Sequence, residues 1–333
     1  TIKMEKNIKK LWKFIEKSQK ILLVNHIRMD MDAFGSLSAF FDILEQLWKN
    51  VIAINDEQPL ANFNITWYNN IIKNNLNIKE FNPDLIISFD AASLDQLWNV
   101  YKDNIEIFNN TNFVVIDHHK TNSGFWNINI INPNYSSTCE LIFDIIHNLH
   151  LEKYITSKIA TSLLSWIYTD TNVFYNSNTT SNTYNVSAQL MEYGADFRKP
   201  YYEFYKKKTF SQSKLWWEIL ANYLKISENW KISWAMVPKS IFSKTKSNDR
   251  ELTGLISEFF SNIEWVEISF ISYEIEDNSV KTSFRSSPNI DSSIIASFFW
   301  WWWHKQACWF TSNDSLDKIE KEILEQIKRY FDF

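Results

Sequence analysis

The chain has 333 residues, a formal net charge of −5 and 45% hydrophobic residues, enough for two domains with cores of their own and without the basic excess that long nucleic acid selects for. Two cysteines, Cys139 and Cys308, are too few for a disulfide framework and suit a reducing, cytoplasmic setting. Glycine is scarce: there are 4, against 16 tryptophans, where ordinary usage would give roughly 23 glycines in a chain of this length.

The opening "TIKMEKNIKKLWKF" lacks the apolar centre of a signal peptide, and no run reaches the roughly 18 apolar residues of a membrane span. Four short apolar runs follow, "ILLV" (21–24), "VIAI" (51–54), "LIISF" (85–89) and "FVVI" (113–116), spaced widely enough for crossover helices. Runs of this kind predict parallel strands buried on both faces. A further strand is predicted near 128–132, then helices over "STCELIFDIIHNLH", with a Ser/Thr cap, and "SKIATSLLSWIYTD".

From about Ser181 to Leu224 the pattern is helical, and its "KKK" at 206–208 reads as a solvated face. Beyond Lys225 strands take over ("KISWAMV", "WVEISFISYEI", "VKTSFRSS"), before a helix-like "DSSIIASFF" and an amphipathic terminal helix. The expected fold is α/β: a parallel-sheet domain over 1–184, a helical linker over 185–224 and a smaller α+β domain over 225–333.

Acidic residues and histidines gather where the apolar segments stop. "ILLVN" runs into "HIRMDMDAFGS" with His26, Asp30 and Asp32; "DLIISFD" ends in Asp90; "FVVIDHH" ends in Asp117, His118 and His119; the helix "SLLSWIYTD" ends in Asp170. Ligands of parallel sheets bind beyond the carboxyl ends of the strands, so these side chains are expected on one rim. One aspartate after a strand is usually a cap or turn former. Several together would repel and take up protons unless cations compensated them. Mixed carboxylate and imidazole donors suit Mn²⁺ or Mg²⁺, and a metal pair suits displacement at phosphorus.

The order "HIRMDMDAFGS", Asp90, "DHH", "TDT" resembles the DHH phosphoesterase superfamily, and "FRSS" followed by "WWWWHKQACWF" resembles the glycine-rich signature of its associated second domain. The resemblance implies two Mn²⁺ ions, with Mg²⁺ as the alternative. His26, Asp30 and Asp90 would hold one, and Asp32, Asp90, His118 and Asp170 the other. It also implies that His119 faces the scissile phosphate, that Asp117 orients the neighbouring histidines, and that Arg285 clamps a terminal phosphate. Ser286, Trp300, Trp301, Trp302, Trp303 and His304 would line the nucleotide. Met29, Met31 and Asn172 depart from the family pattern without removing a ligand.

Among such proteins a compact two-domain chain is similar to the oligoribonuclease and 3′-phosphoadenosine-5′-phosphate (pAp) phosphatase group. The expected partners are short RNA oligonucleotides, pAp or linear dinucleotides such as pApA, with no need for long nucleic acid or a membrane; a homodimer is compatible. The alternatives are a manganese inorganic pyrophosphatase and a catalytically silent nucleotide-binding module. Neither a P-loop nor a G-x-S-x-G is present. His147 and His150 read as surface residues, and Cys308, four residues after His304, as a small buried residue rather than a zinc ligand.

Four consecutive tryptophans cannot all stack on one ligand, so an aromatic base platform is the weaker reading of Trp300–Trp303. A phosphate-approaching loop favours glycine, and Trp48, Trp126 and Trp309 also stand where a turn or close approach would favour it. Many of the tryptophans are therefore expected to mark glycine positions, as they would if a UGA codon read as glycine in the source were rendered as tryptophan.

Overall fold

The computed structural model describes residues 2–59, 71–74, 76–275, 279–299 and 306–331. The run Trp300–Trp303 and His304 lie outside the described residues. The chain forms two compact units, Thr1–Lys207 and Lys208–Phe333, so the division falls inside the helical segment expected as a linker.

In the first unit six strands, β1 (Lys20–Asn25), β2 (Asn50–Ile54), β3 (Ile72–Lys73), β4 (Leu85–Phe89), β5 (Asn112–Asp117) and β6 (Ile128–Ile131), lie in the order β3-β2-β1-β4-β5-β6. Every neighbouring pair is parallel. The helices are α1 (Ile2–Lys17), α2 (Met31–Gln46), α3 (Ile78–Phe81), α4 (Trp98–Lys102), α5 (Ile105–Asn110), α6 (Thr138–Asn148), α7 (Ser157–Asp170), α8 (Ser181–Glu192) and α9 (Arg198–Tyr201). Alternation along the strands feeds two cores. Ile21, Leu23, Leu85 and Ile87 pack with Leu11, Phe40, Ile142 and Leu163, while Leu22, Val24, Ile86 and Val115 pack with Leu97, Val100 and Phe108. The strands are continuously apolar because helices cover both faces, and each such buried side chain contributes roughly 1.5–3 kcal/mol of transfer free energy.

In the second unit β7 (Leu224–Ile226), β8 (Ile232–Val237), β9 (Ile268–Glu274), β10 (Val280–Ser286) and β11 (Ala307–Ser312) form a mixed sheet in the order β11-β10-β9-β8-β7. Only β8 and β9 pair in parallel. Helices α10 (Phe210–Asn222), α11 (Ser240–Thr245) and α12 (Leu255–Glu258) serve a core with Val237 and Ile271. Helices α13 (Ser293–Phe298) and α14 (Leu316–Tyr330) serve another with Phe270 and Phe284. Lys207 and Lys208 of the basic triplet pair with Glu203 and Glu258. Among the described residues no helix is long and apolar enough to cross a membrane.

Of the three isolated tryptophans expected at a turn or close approach, Trp126 lies in a bend ahead of β6 but, like Trp309, without left-handed backbone. Trp309 lies in β11 opposite Ser283, and Trp126 is half-buried with its ring 4.9 Å from that of Phe113. Trp48 does hold a left-handed backbone (φ 60°), as do Trp98 (φ 47°), Trp230 (φ 62°) and Trp265 (φ 71°). Left-handed backbone also occurs at Asp90 (φ 56°) and through Asn172, Val173 and Phe174.

Candidate metal centre

The strand order reverses between β1 and β4, the point at which open α/β sheets bind ligands. His26 follows β1, Asp90 follows β4, and Asp117 closes β5 ahead of His118 and His119. Helix α2 is the next element after β1, across the connection 26–30. Asp30 is its N-cap, accepting from the Ala33 amide, and Asp32 sits in its first turn. Asp170 ends α7, which packs alongside α2. One end of the unit therefore gathers all the acids and histidines that the sequence singles out there.

His26 Nε2 lies 3.7 Å from Asp30 Oδ1 and 3.8 Å from Asp90 Oδ2. His118 Nε2 lies 3.8 Å from Asp32 Oδ2, 3.7 Å from Asp90 Oδ1 and 3.5 Å from Asp170 Oδ2. These gaps exceed the ~2.7–2.9 Å of a charge-assisted hydrogen bond. Each ring has its other nitrogen engaged: Nδ1 of His26 is 2.8 Å from Ile27 O, and Nδ1 of His118 is 3.3 Å from Tyr135 O. Donation to a carbonyl fixes the tautomer and points Nε2 at the carboxylates, the arrangement of a metal-ligating histidine.

The electrostatics agree with that donor set. Burial first, then the neighbouring charges of Asp90 and Asp30, hold the Asp32 carboxyl well above the ordinary range; burial and the charges of Asp32, Asp30 and Asp90 do the same for Asp170. Asp90 is raised by burial and by Asp30, against the opposing pull of the histidines. Burial disfavours the charged ring of His26, yet the neighbouring carboxylates of Asp30 and Asp90 outweigh it and lift the pKa to about 9. The place therefore favours positive charge. Three sets of donor atoms, His26/Asp30/Asp90, Asp32/His118/Asp170 and Asp90/His118/His119, lie within 4.8 Å of one another in each set and could hold divalent ions. The side chains present fit such a group.

His119 is arranged differently. Its Nδ1 is 2.7 Å from Oδ1 of the fully buried Asp117. Burial lowers the basicity of the ring, but the hydrogen bond to Asp117 outweighs it and raises the pKa to about 9. Asp117 is held by Asn122 Nδ2 at 2.7 Å, and Asn122 also donates to Ala91 O. Sequence reasoning passed over Asn122, although it stands three residues after the histidine pair. It also passed over the start of α6, where the Thr138 and Cys139 amides donate to the two oxygens of Asp32 at 2.5 and 2.9 Å. The Thr138 hydroxyl donates to Asp90 Oδ1 at 2.8 Å. The only sequence signal there was the helix cap.

Arg285 and Ser286 belong to β10 in the second unit. Arg285 is half-buried, donates from Nε to Ser257 Oγ at 3.0 Å and from Nη1 to Phe284 O at 2.7 Å, and has its pKa lowered by burial. Ser286 donates to Ile290 O at 2.9 Å and so shapes its own turn. His147 pairs with Glu152 at 3.2 Å, and Cys308 is a buried free thiol.

Residues 20–169 match the DHH family, N-terminal domain. The chain is 27% identical over 297 residues to a membrane protein–large ribosomal subunit bL9 fusion protein of Onion yellows phytoplasma, covering 84% of this chain and 33% of that protein. It thus spans about a third of the length of that relative. It is 25% identical over 324 residues to the bifunctional oligoribonuclease and PAP phosphatase NrnA of Thermus thermophilus, covering 92% of this chain and 89% of that protein. In structure it is similar to an exopolyphosphatase-related protein from Bacteroides fragilis, with a TM-score of 0.86 at 22% identity over 97% of both chains.

Proposed function

We propose that the protein, whose residues 20–169 match the DHH family, N-terminal domain, is a Mn²⁺-dependent phosphoesterase cleaving short oligoribonucleotides and pApA-like dinucleotides to mononucleotides and pAp to AMP. The observation that carries this reading is the convergence of His26, Asp30, Asp32, Asp90, His118 and Asp170 at the β1/β4 switch. Likeness to the Thermus thermophilus relative over 92% of the chain supports the choice of substrate.

In this reading His26, Asp30 and Asp90 would hold one ion and Asp32, Asp90, His118 and Asp170 the other, with Asp90 common to both sets. Bound Mn²⁺ would supply Lewis-acid stabilisation of charge at phosphorus and lower the pKa of the attacking water. His119, held through Nδ1 by Asp117, presents Nε2 to the leaving oxygen and carries the proton that this oxygen needs. Arg285 supplies a forked donor for a terminal phosphate, with Ser286, Trp300–Trp303 and His304 on the nucleotide side.

The test is release of AMP from pApA and of phosphate from pAp with Mn²⁺ present or chelated, in the wild type and in Asp90→Ala. Turnover that needs the ion and is lost in the variant is expected. Preferential hydrolysis of pyrophosphate, or pApA binding without turnover, would overturn the substrate assignment.

A further inference from the structure

The segment Tyr135–Cys139, which runs from the β6–α6 connection into the first turn of α6, touches part of the cluster among the described residues. Tyr135 O engages His118 Nδ1, the Thr138 and Cys139 amides hold Asp32, and the Thr138 hydroxyl reaches Asp90. Asn178 bridges Ser136 O at 2.9 Å and Asp170 O at 3.2 Å. The residues so framed are Asp32, Asp90, His118 and Asp170. The segment is fixed in turn by Glu140, a fully buried carboxylate. Its Oε2 accepts from the Ser136 amide (2.9 Å), the Ser136 hydroxyl (2.5 Å) and the Thr183 hydroxyl (3.0 Å), and its Oε1 from Asn182 Nδ2 (2.7 Å). Four donors with no cation among these contacts make Glu140 a fastener between the segment and α8.

We propose that Glu140 is a positioning residue for one ion of the pair, the one assigned to Asp32, Asp90, His118 and Asp170, and that it bears less on the His26/Asp30/Asp90 site, which these contacts reach only through the shared Asp90. The proposal rests on the metal-centre reading above. Its test is Mn²⁺ titration by calorimetry and electron paramagnetic resonance on the wild type, Glu140→Ala and the isosteric Glu140→Gln. Wild type should take up two ions. Glu140→Ala should bind one of them about 10–100-fold more weakly, the usual consequence of losing an outer partner of a ligand, and Glu140→Gln, which keeps the shape and an acceptor, should fall between. Circular dichroism of the chelated variants checks folding; if Glu140→Ala does not fold, Glu140→Gln alone decides. Two sites of wild-type affinity in a folded variant, or equal weakening of both, would overturn the proposal while leaving the metal-centre reading intact. A wild type that binds no Mn²⁺ sinks both.

A separate observation concerns the tryptophans. At the end of α2 the Trp48 amide donates to Glu45 O and the Lys49 amide to Leu44 O, the two bonds of a helix terminus whose left-handed residue is usually glycine. Helix α8 ends with the same pair of bonds, Gly194 to Met191 O and Ala195 to Leu190 O, and there the left-handed residue is Gly194 (φ 84°). Trp265, third residue of the turn closed by Val266 N on Ile263 O, and Trp230, ending the turn it closes on Ser227 O, occupy comparable positions. Trp98 combines φ 47° with ψ −129°, outside the regions open to L-residues. All four side chains are exposed, Trp48 to 90%, so packing does not explain the conformation.

We infer that the source cell inserts glycine at 48, 98, 230 and 265, reading as glycine a UGA codon rendered here as tryptophan. Two adjoining tryptic peptides of the native protein decide it. Ile226–Lys231 contains Trp230, and Ile232–Lys239 contains Trp234, a β8 residue whose ring stacks on Phe270 at 6.0 Å. The first is expected at the mass of its glycine form and the second with tryptophan. Tryptophan in the first, or glycine in both, would overturn the assignment. In the recombinant chain, Trp48→Gly and Trp230→Gly should raise the melting temperature and Trp234→Gly should lower it.

Discussion

His119 Nδ1 lies 2.7 Å from Asp117 Oδ1, and Asp117 is fully buried beneath it. The pair fixes which ring nitrogen faces outward and keeps the ring protonated. Asp117→Asn removes the charge that outweighs burial, so the His119 pKa should fall. The acid form is lost above that pKa, and the alkaline limb of the kcat profile should therefore move to lower pH, with kcat down by about 10–100-fold. An unchanged alkaline limb would remove His119 from the role of acid.

Chelation should destabilise the folded chain in a pH-dependent way. Asp32, Asp90 and Asp170 hold protons more tightly folded than unfolded. Their folded pKa values are raised, so their contribution is most favourable below the unfolded value and is lost as pH rises through the folded ones. In chelator, the melting temperature attributable to these groups should fall from about pH 4 towards neutrality. Saturating Mn²⁺ should reverse the loss near pH 7, because an ion bound only by the native state stabilises it. Differential scanning calorimetry with and without Mn²⁺ reads this directly.

Gly35 should not tolerate a side chain. A Cβ there would lie 1.4 Å from Trp166 Cδ1, where α2 and α7 pack together. Gly35→Ala should cost about 3 kcal/mol, at the upper end for overpacking, measured by urea denaturation. Because α2 carries Asp32 and α7 carries Asp170, the variant should also weaken Mn²⁺ binding. A smaller residue at 166 should restore both in a double-mutant cycle.

Asp84 gives a pH effect away from the metal centre. Its Oδ2 accepts from the Gln19 and Lys20 amides at the start of β1, and these bonds lower its pKa. A lowered folded pKa gives stability that is present above the unfolded value and lost as pH falls through the folded one. Asp84→Asn should cost about 0.5 kcal/mol at pH 7, discounted for exposure, and less at pH 3.

Much of the first unit was legible because fully buried strands write themselves as apolar runs, and because three of the four runs, all but "VIAI", lead into residues that the rim needs. β3 escaped because two residues, Ile72–Lys73, carry no period. β11 escaped because its "ACWFTS" follows the tryptophan run and reads as a continuation of a loop. The amides of Thr138 and Cys139 could not be read from side-chain identity at all, since any residue but proline supplies an amide. Asn122 and Glu140 are polar residues whose importance lies in burial, and burial is decided by the tertiary fold rather than by spacing.

The adjacency of β1 and β4 also has a consequence for the order in which the chain folds. β1 pairs with a strand that starts at Leu85, across β2 and β3, and the last donor, Asp170, arrives only when α7 docks. Contacts of such sequence separation form late, since loop closure precedes their reward. A nascent chain ending before α7 would already contain His26, Asp30 and Asp90 but would lack the complete Asp32/His118/Asp170 set. Uptake of a second ion would thus report that α7 has docked on the sheet.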